Sequence, residues 1–252
     1  MKFIKSVIAA VLLFATVLSL AACGVKAELK SAEGALKRNP YRVSSKTSFR
    51  SGDLECAVML SALGGTALPL IIDGDRVQVS AVTQEGIRLT LCVIGKTLYY
   101  VGELEDGTVK LLVNLSAQQE KELKEQYGAA KRVSYESYAT VEKSEELGDE
   151  VYICKEIDDE AKALFKKSIE LTVSDIFTGE LDVLDAEMNV RLSDGLFKYV
   201  TTTVHFTLYL NGKWVEASMV TEESYIYSDS YRVTKPSDEI YYEEVDYSDI
   251  FG

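Results

Sequence analysis

The side chains that could carry chemistry in this 252-residue chain are few in kind. His205 is the only histidine, which excludes metal sites built from several histidines and leaves any Ser-His-Asp triad dependent on one imidazole. Because His205 alternates with apolar residues in a strand-like run, we expect an ordinary sheet-face residue. The sequence contains no Gly-x-Ser-x-Gly motif, phosphate loop or dinucleotide fingerprint. It therefore predicts no catalytic residue, no cofactor and no metal site.

Acidic and aromatic side chains are numerous enough to suggest other chemistry. Pairs such as Asp158-Asp159 and Glu243-Glu244 could serve glycosidase or calcium sites, but adjacent strand residues point to opposite faces, and no calcium loop is present. Fifteen tyrosines and one tryptophan could line a sugar site. Tyr199 and Tyr209, however, lie in predicted strands, where aromatic residues are favoured. The simpler interpretation is a solvated acidic surface and ordinary strand packing.

The N-terminal segment places Lys2 and Lys5 before an apolar stretch over residues 7–18. This is the pattern of a secretory signal peptide, because a membrane span needs about 20 apolar residues. The stretch runs into Leu20-Ala21-Ala22-Cys23, which resembles the lipobox of bacterial lipoproteins. The resemblance implies cleavage between Ala22 and Cys23 and transfer of diacylglycerol to the Cys23 thiol. The alternative is an ordinary signal peptide that ends near Ala22, with Cys23 unmodified.

Lipid on Cys23 predicts an extracytoplasmic protein held on the outer face of the cell membrane, since two or three acyl chains give stable attachment. Removal of the signal peptide deletes two lysines and no acid, which leaves 25 basic and 40 acidic side chains and a formal charge of −15. Such a surface argues against nucleic acid and against electrostatic binding to anionic lipid. The lipid is therefore the expected membrane contact, and the sequence does not specify a protein partner.

Three cysteines remain after lipidation: Cys56, Cys92 and Cys154. Their wide spacing is not that of a metal site, and an odd number cannot all pair. Cys56 and Cys92 lie within apolar runs typical of strands, where a thiol behaves as a small hydrophobic group. We expect buried, inert thiols. One disulfide with a free thiol left over is the alternative.

Hydrophobic periodicity predicts a mainly antiparallel chain. Residues 24–38 favour a short helix ending before Asn39-Pro40, and further helices are expected from Ser116, which has capping-box spacing to Gln119, and from Asp158. Strands should form a first meander over Leu54 to Val113, then two strands near Val133 to Val141 and Glu150 to Cys154, and a second meander over residues 181–221. Turn dipeptides separate the strands: Asp73-Gly74, Glu85-Gly86, Gly95-Lys96, Asp106-Gly107, Asp194-Gly195 and Asn211-Gly212.

This layout predicts an α+β fold with a curved antiparallel sheet, divided into a signal peptide (1–22), a lipidated N-terminus with tether and helix (23–40) and a single β-rich domain (41–252). The layout resembles the LolA-like and LppX-like lipoprotein superfamily. The segments Gly95–Val101 and Tyr242–Phe251 are similar to those of Gram-positive relatives. The resemblance implies a half-open barrel with short helices packed on its concave face and a lipid-like ligand between them. No ligand-binding residue can be transferred to this chain.

Two functions follow from these expectations. A carrier of a hydrophobic, lipid-like ligand would need an apolar cavity of roughly 300 Å³ or more between sheet and helices. Two strand faces would line it: Ile87, Leu89, Leu91 and Val93, or Val204, Phe206, Leu208 and Leu210. The alternative is a cell-surface interaction module that recognises a protein or an envelope polymer and has a filled core. The acidic, tyrosine-rich tail over residues 241–247 is expected to form a final edge strand rather than a partner-binding segment.

Overall fold

The computed structural model describes residues 24–82, 86–104, 107–127, 134–146, 148–174, 176–177 and 179–251. Helices in these ranges are α1 (residues 24–36), α2 (Leu54–Ser61), α3 (Ala117–Tyr127), α4 (Asp159–Val173) and α5 (Tyr247–Phe251). None of these described helices is long and apolar enough to cross a membrane. The strands are β1 (Tyr41–Ser51), β2 (Gly65–Thr66), β3 (Leu70–Asp73), β4 (Arg76–Val82), β5 (Arg88–Ile94), β6 (Thr97–Leu104), β7 (Gly107–Asn114), β8 (Tyr138–Glu146), β9 (Asp149–Ile157), β10 (Leu181–Ser193), β11 (Leu196–Leu210), β12 (Lys213–Tyr227) and β13 (Glu243–Glu244).

The strands form one sheet in which two antiparallel meanders flank β1. The strand order is β13-β7-β6-β5-β4-β3-β1-β12-β11-β10-β9-β8, with β2 beside β1. β1 pairs with β12 along its whole length, and its other edge pairs with β3 and β2. Only β13 and β7 run parallel among the described pairs. The expected α+β fold with an antiparallel sheet is confirmed.

Tight turns at the ends of β10 and β11 fix the register of the longest strands. Asp194 and Gly195 have φ values of 52° and 72°, and Asn211 and Gly212 have φ values of 50° and 81°. Two successive positive φ angles are the signature of a type I′ turn, whose twist matches that of the flanking strands. The predicted hairpins between β10, β11 and β12 are therefore confirmed.

Two of the predicted helix starts have the expected caps. The backbone N–H of Gln119 donates to Ser116 Oγ at 3.2 Å, and the backbone N–H of Ser116 donates to Gln119 Oε1 at 2.9 Å, as a capping box requires. Asp158 accepts a hydrogen bond from the backbone N–H of Ala161 at 2.7 Å at the start of α4. α1 ends two residues before the predicted boundary.

The expectation of a strand around Leu54–Val58 is wrong, because this segment begins α2. Asp53 caps the helix by accepting a hydrogen bond from the backbone N–H of Cys56 at 3.1 Å. Cys56 and Leu60 are buried four residues apart, which is a helical period. A short apolar run does not separate the two periods, so the aspartate cap decides the element. The strand expected from Val133 also begins later, at Tyr138, after a 3₁₀ turn over Tyr135–Ser137; residue 133 lies outside the described ranges.

The largest buried cluster joins the second meander and β1 to three helices. α1 contributes Leu29 and Ala32, α2 contributes Cys56 and Leu60, and α4 contributes Ala161, Ile169 and Val173. These side chains pack against inward residues of β9 to β12, among them Tyr152, Val204, Phe206 and Leu208. The helices therefore cover one face of this half of the sheet.

The C-terminal segment wraps around the edge of the first meander. Val233 and Tyr242 join Cys92 and Tyr99 on one face of β5 and β6. β13 then lies beside β7, and Val245, Tyr247 and Ile250 join Val93, Leu98 and Leu123 on the opposite face. The predicted final edge strand is confirmed, and the segment covers both faces of the sheet at this edge.

Candidate functional site

The second meander has two faces of different character. Along β11, Val204, Phe206 and Leu208 are fully buried against the helices. The alternate residues Tyr199, Thr201, Thr203 and His205 point to the other side of the sheet, here called the groove face. The described residues that line the groove on this side all belong to strands. A pocket on the groove face is therefore built from strand side chains and not from loops.

Two rows of cross-strand neighbours form the floor of the groove. In the first row, Arg191 of β10, Tyr199 of β11, Ser224 of β12 and Ser44 of β1 are successive partners. In the second row, the corresponding residues are Asn189, Thr201, Glu222 and Lys46. Val151 and Ile153 of β9 and Glu146 of β8 complete the lining, and the groove has a volume of about 660 Å³. A groove that reaches from β9 to β1 requires the strands between them to curve towards it.

Ion pairs hold one end of the groove in place. Arg191 lies 2.9 Å from Glu146 and 3.8 Å from Asp149, and Lys198 Nζ donates to Asp149 at 2.9 Å. The hydrogen bond from Lys198 holds the pKa of Asp149 below its ordinary value, with a further contribution from the charge of Arg191. Asp149 is therefore ionised at neutral pH. Arg191 is fixed in position by two counter-charges, which leaves little free positive charge at this end.

Tyr199 is the aromatic side chain of the groove, and half of its surface is exposed. Hydrogen-bonding groups flank it along the sheet: the guanidinium of Arg191 on β10 and the hydroxyl of Ser224 on β12. The amide of Asn189 lies in the neighbouring row and donates to Glu187 at 2.9 Å. Such a surface offers an aromatic face together with donors and acceptors, which suits a ligand that is polar along its edge and apolar on its face.

The helix side of the sheet has little space. A void between α1 and the sheet has a volume of about 50 Å³ and is lined by Leu29, Leu36, Tyr135, Phe197 and Tyr225, among others. This is far below the roughly 300 Å³ that a lipid-sized ligand needs. Leu91 and Val93, expected to line a cavity, pack in the cluster that α3 and the C-terminal segment cover. Leu210 packs against the main cluster. Among the described residues, this void is too small to be the expected carrier cavity.

The remaining candidate residues are separated from the groove or from one another. Cys23 and Ala22 lie outside the described residues. His205 is exposed opposite Asp185 and Ser218, four residues along β11 from the nearest groove-lining position. Within the described ranges, no group of three or more His, Cys, Asp or Glu side chains could hold a metal ion.

The three cysteines are free and buried, as expected. Burial raises the pKa of Cys56, raises that of Cys92 to about 11 and raises that of Cys154 to about 12. A thiol with such a pKa carries almost no thiolate at neutral pH and is a poor nucleophile. The side chains lie on α2, β5 and β9, in two separate clusters. These thiols act as packing residues.

The groove was missed from the sequence because polar alternation in a strand predicts only a solvent face. Thr201 and Thr203 would alternate in the same way on a flat sheet. The available signal was Tyr199 and Arg191 at facing positions of one predicted hairpin, since large side chains on an otherwise small polar face are unusual. Sequence periodicity does not predict how far a sheet curves.

Comparison with known proteins assigns no family. The sequence matches no protein-family description, and no curated protein matches it. Among solved structures, it is similar to the crystal structure of the ywiB protein from Bacillus subtilis, at 6% identity over 74% of this chain and 91% of that chain, with a TM-score of 0.15. A likeness of this degree supports no conclusion about fold or function.

Proposed function

We propose that the protein is a lipoprotein, cleaved between Ala22 and Cys23 and anchored through diacylglycerol and fatty acyl chains such as palmitate on Cys23. The lipobox residues Leu20 to Cys23 support this address. The protein would then reside on the extracytoplasmic face of the cell membrane.

Substitution of the lipidated residue tests the anchor. Cys23→Ala should abolish lipid attachment, so that the protein is either released or left unprocessed with its signal peptide attached. Detergent-phase partitioning and the mass of the N-terminal peptide measure both outcomes. Equal membrane retention of wild type and a fully cleaved variant would contradict the anchor.

We further propose that the domain is an interaction module rather than a carrier or an enzyme, and that it binds an envelope polymer in the groove. The observation that carries this proposal is the contrast in volume between the groove, about 660 Å³, and the void beneath the helices, about 50 Å³. The finer architecture belongs to the same proposal: a half-open barrel whose short helices pack against one face of the second meander. The groove lies on the opposite, uncovered face of the same strands.

The charges of the groove favour an uncharged polymer. The lining contains the basic residues Lys46 and Arg191 and the acidic residues Glu146, Glu222 and Glu223, and the chain as a whole carries a formal charge of −13. A polyanion would meet repulsion from this field. A glycan strand combines apolar ring faces, which can stack on Tyr199, with hydroxyl groups that can pair with Asn189, Thr201 and Ser224. We therefore propose a neutral glycan of the cell envelope as the ligand.

Co-sedimentation with chitin, an insoluble and uncharged polymer of N-acetylglucosamine, tests the proposed ligand. Tyr199→Ala should weaken binding about tenfold or more, since loss of a central aromatic contact costs roughly 1–2 kcal/mol. Tyr209→Ala is the matched control, because Tyr209 lies on the same strand and face with a similar exposed fraction, 44% against 50%, but outside the groove. No sedimentation of the wild type, or equal loss in both variants, would contradict glycan binding in the groove. Retention of a protein instead would support a protein ligand.

A further inference from the structure

One end of the sheet exposes aromatic side chains that the groove does not use. This end, here called the hairpin end, is formed by the β11–β12 turn at Asn211-Gly212 and the start of α2. Tyr209 and Trp214 are cross-strand partners beside the turn, with ring centroids 5.4 Å apart. Trp214, the one tryptophan of the chain, is 50% exposed. Tryptophan side chains are on average largely buried. A pair of half-exposed aromatic rings therefore suggests a surface that another molecule covers.

Aliphatic side chains extend this exposed surface. Leu54 and Val58 on α2 are 80% and 66% exposed. α2 is held beside the hairpin because Lys213 Nζ donates to Asp53 at 2.7 Å and Asn211 Nδ2 donates to Glu55 at 2.6 Å. On the other side, the backbone N–H of Tyr209 donates to Glu180 O at 2.8 Å, which brings the segment after α4 to the hairpin. That segment and the adjoining elements add three exposed residues: Leu171, Ile176 and Leu184.

The start of the described chain lies towards the same end. Lys26 Nζ donates to the backbone oxygen of Tyr138 at 3.2 Å. Tyr138 begins β8 and pairs with Ile157, the last residue of β9, whose N–H donates to Asp185 Oδ1 at 3.3 Å, near the start of β10. The opposite end of α1 leads into Tyr41, which pairs with Tyr227 at the far end of β12. The N-terminus of α1 therefore points towards the hairpin end.

We propose that the hairpin end docks on the lipid bilayer, with Trp214 and Tyr209 in the interfacial layer. The proposal rests on the lipid anchor at Cys23 proposed above. Cys23 is bonded to Gly24, the first described residue and part of α1, so the proposed lipid attachment lies next to this helix in the chain. Tryptophan and tyrosine favour the membrane interface because each joins an apolar ring to a polar group. Because Asp182 and Glu216 beside it are acidic, the contact would rest on the aromatic and aliphatic side chains and not on attraction to anionic headgroups.

Fluorescence of the single tryptophan tests this orientation. The full, lipidated chain would be reconstituted into phosphatidylcholine vesicles with and without brominated acyl chains, which quench only tryptophans at the membrane. Trp214 emission should shift to shorter wavelength and fall by more than about twofold with brominated lipid. High salt should leave the quenching unchanged, because the contact is apolar.

A relocated tryptophan supplies the control. In the double variant Trp214→Phe/Tyr241→Trp, the probe replaces a side chain that is 73% exposed. Tyr241 follows Glu239, which accepts a hydrogen bond from Tyr99 Oη at 2.7 Å, at the end of the sheet where β1 begins. β12 alone spans about 40 Å between the two ends at about 3.3 Å per residue. The relocated probe should show no quenching by brominated lipid.

The possible results separate the two proposals. Protein that stays out of the vesicle fraction would overturn the anchor and the docking together. Protein that enters the vesicle fraction while Trp214 remains unquenched would overturn the docking alone. A shift of Trp214 emission to shorter wavelength without quenching would mean that a second protein surface covers Trp214, and this result would also overturn the docking.

Discussion

A matched pair of leucine substitutions tests whether the helix side of the sheet is filled. Leu208 is fully buried in the main cluster, and Leu54 is 80% exposed on α2. Both changes, Leu208→Ala and Leu54→Ala, remove the same atoms. Any difference in stability therefore reports the surroundings of the side chain and not its chemistry.

The expected cost of Leu208→Ala follows from its packing. Truncation of a buried leucine loses about 2 kcal/mol of transfer free energy, and a residual cavity adds about 24 cal/mol per Å³. A residual cavity of about 50 Å³, comparable to the void already present, adds about 1 kcal/mol. The predicted loss is about 3 kcal/mol, which corresponds to a fall in Tm of roughly 6–12 °C for a domain of this size. Leu54→Ala should change the free energy of unfolding by less than about 0.5 kcal/mol.

Urea unfolding of both variants, followed by Trp214 fluorescence and by circular dichroism, measures these values. Equal slopes of free energy against urea concentration are needed for the comparison, because a changed slope indicates a changed unfolded or native state. A loss below about 1 kcal/mol for Leu208→Ala would refute the filled core. Such a small loss would mean that Leu208 borders a cavity, into which the neighbouring side chains can move when the leucine is truncated.

Two further predictions concern thiols and pH. Because burial suppresses the thiolates, the native protein should resist a thiol reagent at pH 8 and should react at three sites after unfolding. Absorbance of the released reagent measures the reaction. Rapid labelling of the native state would contradict the packing of Cys56, Cys92 and Cys154. Glu28 accepts hydrogen bonds from Lys143 and from Tyr152, which lower its pKa below the ordinary value of 4.5. Its stabilising contribution is present above pH 4.5 and is lost as the pH falls through the lowered pKa, so the urea midpoint of Glu28→Gln should depend less on acid than that of wild type. Glu142→Gln is the control, since its contact with Lys155 is longer, at 3.7 Å, and exposed; equal acid sensitivity of Glu28→Gln and wild type would refute the link.

Local signals predicted the parts of the fold that local chemistry determines. Asn211-Gly212 and Asp194-Gly195 adopt the positive φ angles that their residue types tolerate, and Asp158 caps the helix that it precedes. Periodicity does not distinguish the helix at Leu54–Ser61 from a strand, because eight residues contain too few periods; the cap at Asp53 is the local signal that marks the helix. The insertion of β1 between the two meanders could not be predicted, since pairing partners more than 150 residues away leave no local pattern.

The groove could not be predicted from the sequence for a related reason. Alternation assigned the correct faces to β11, with Phe206 inward and His205 outward. It could not decide which of the two faces contains space, because residues that line a groove and residues on a flat polar face alternate identically. That property depends on strand curvature, which arises from the whole sheet.

The two proposed surfaces lie at different heights on the same strands, and this arrangement has a consequence for function. Along β12, Trp214 at the hairpin end and Ser224 in the groove are ten residues apart, which is about 33 Å of extended strand. If the hairpin end rests on the bilayer, the groove stands about that far above the membrane surface. A short lipid attachment would then hold the groove at a fixed height, whereas a flexible tether would let it sample many heights. An anchor at Cys23, one residue before the first described residue of α1, would therefore fit a module that binds a polymer lying in a layer parallel to the membrane.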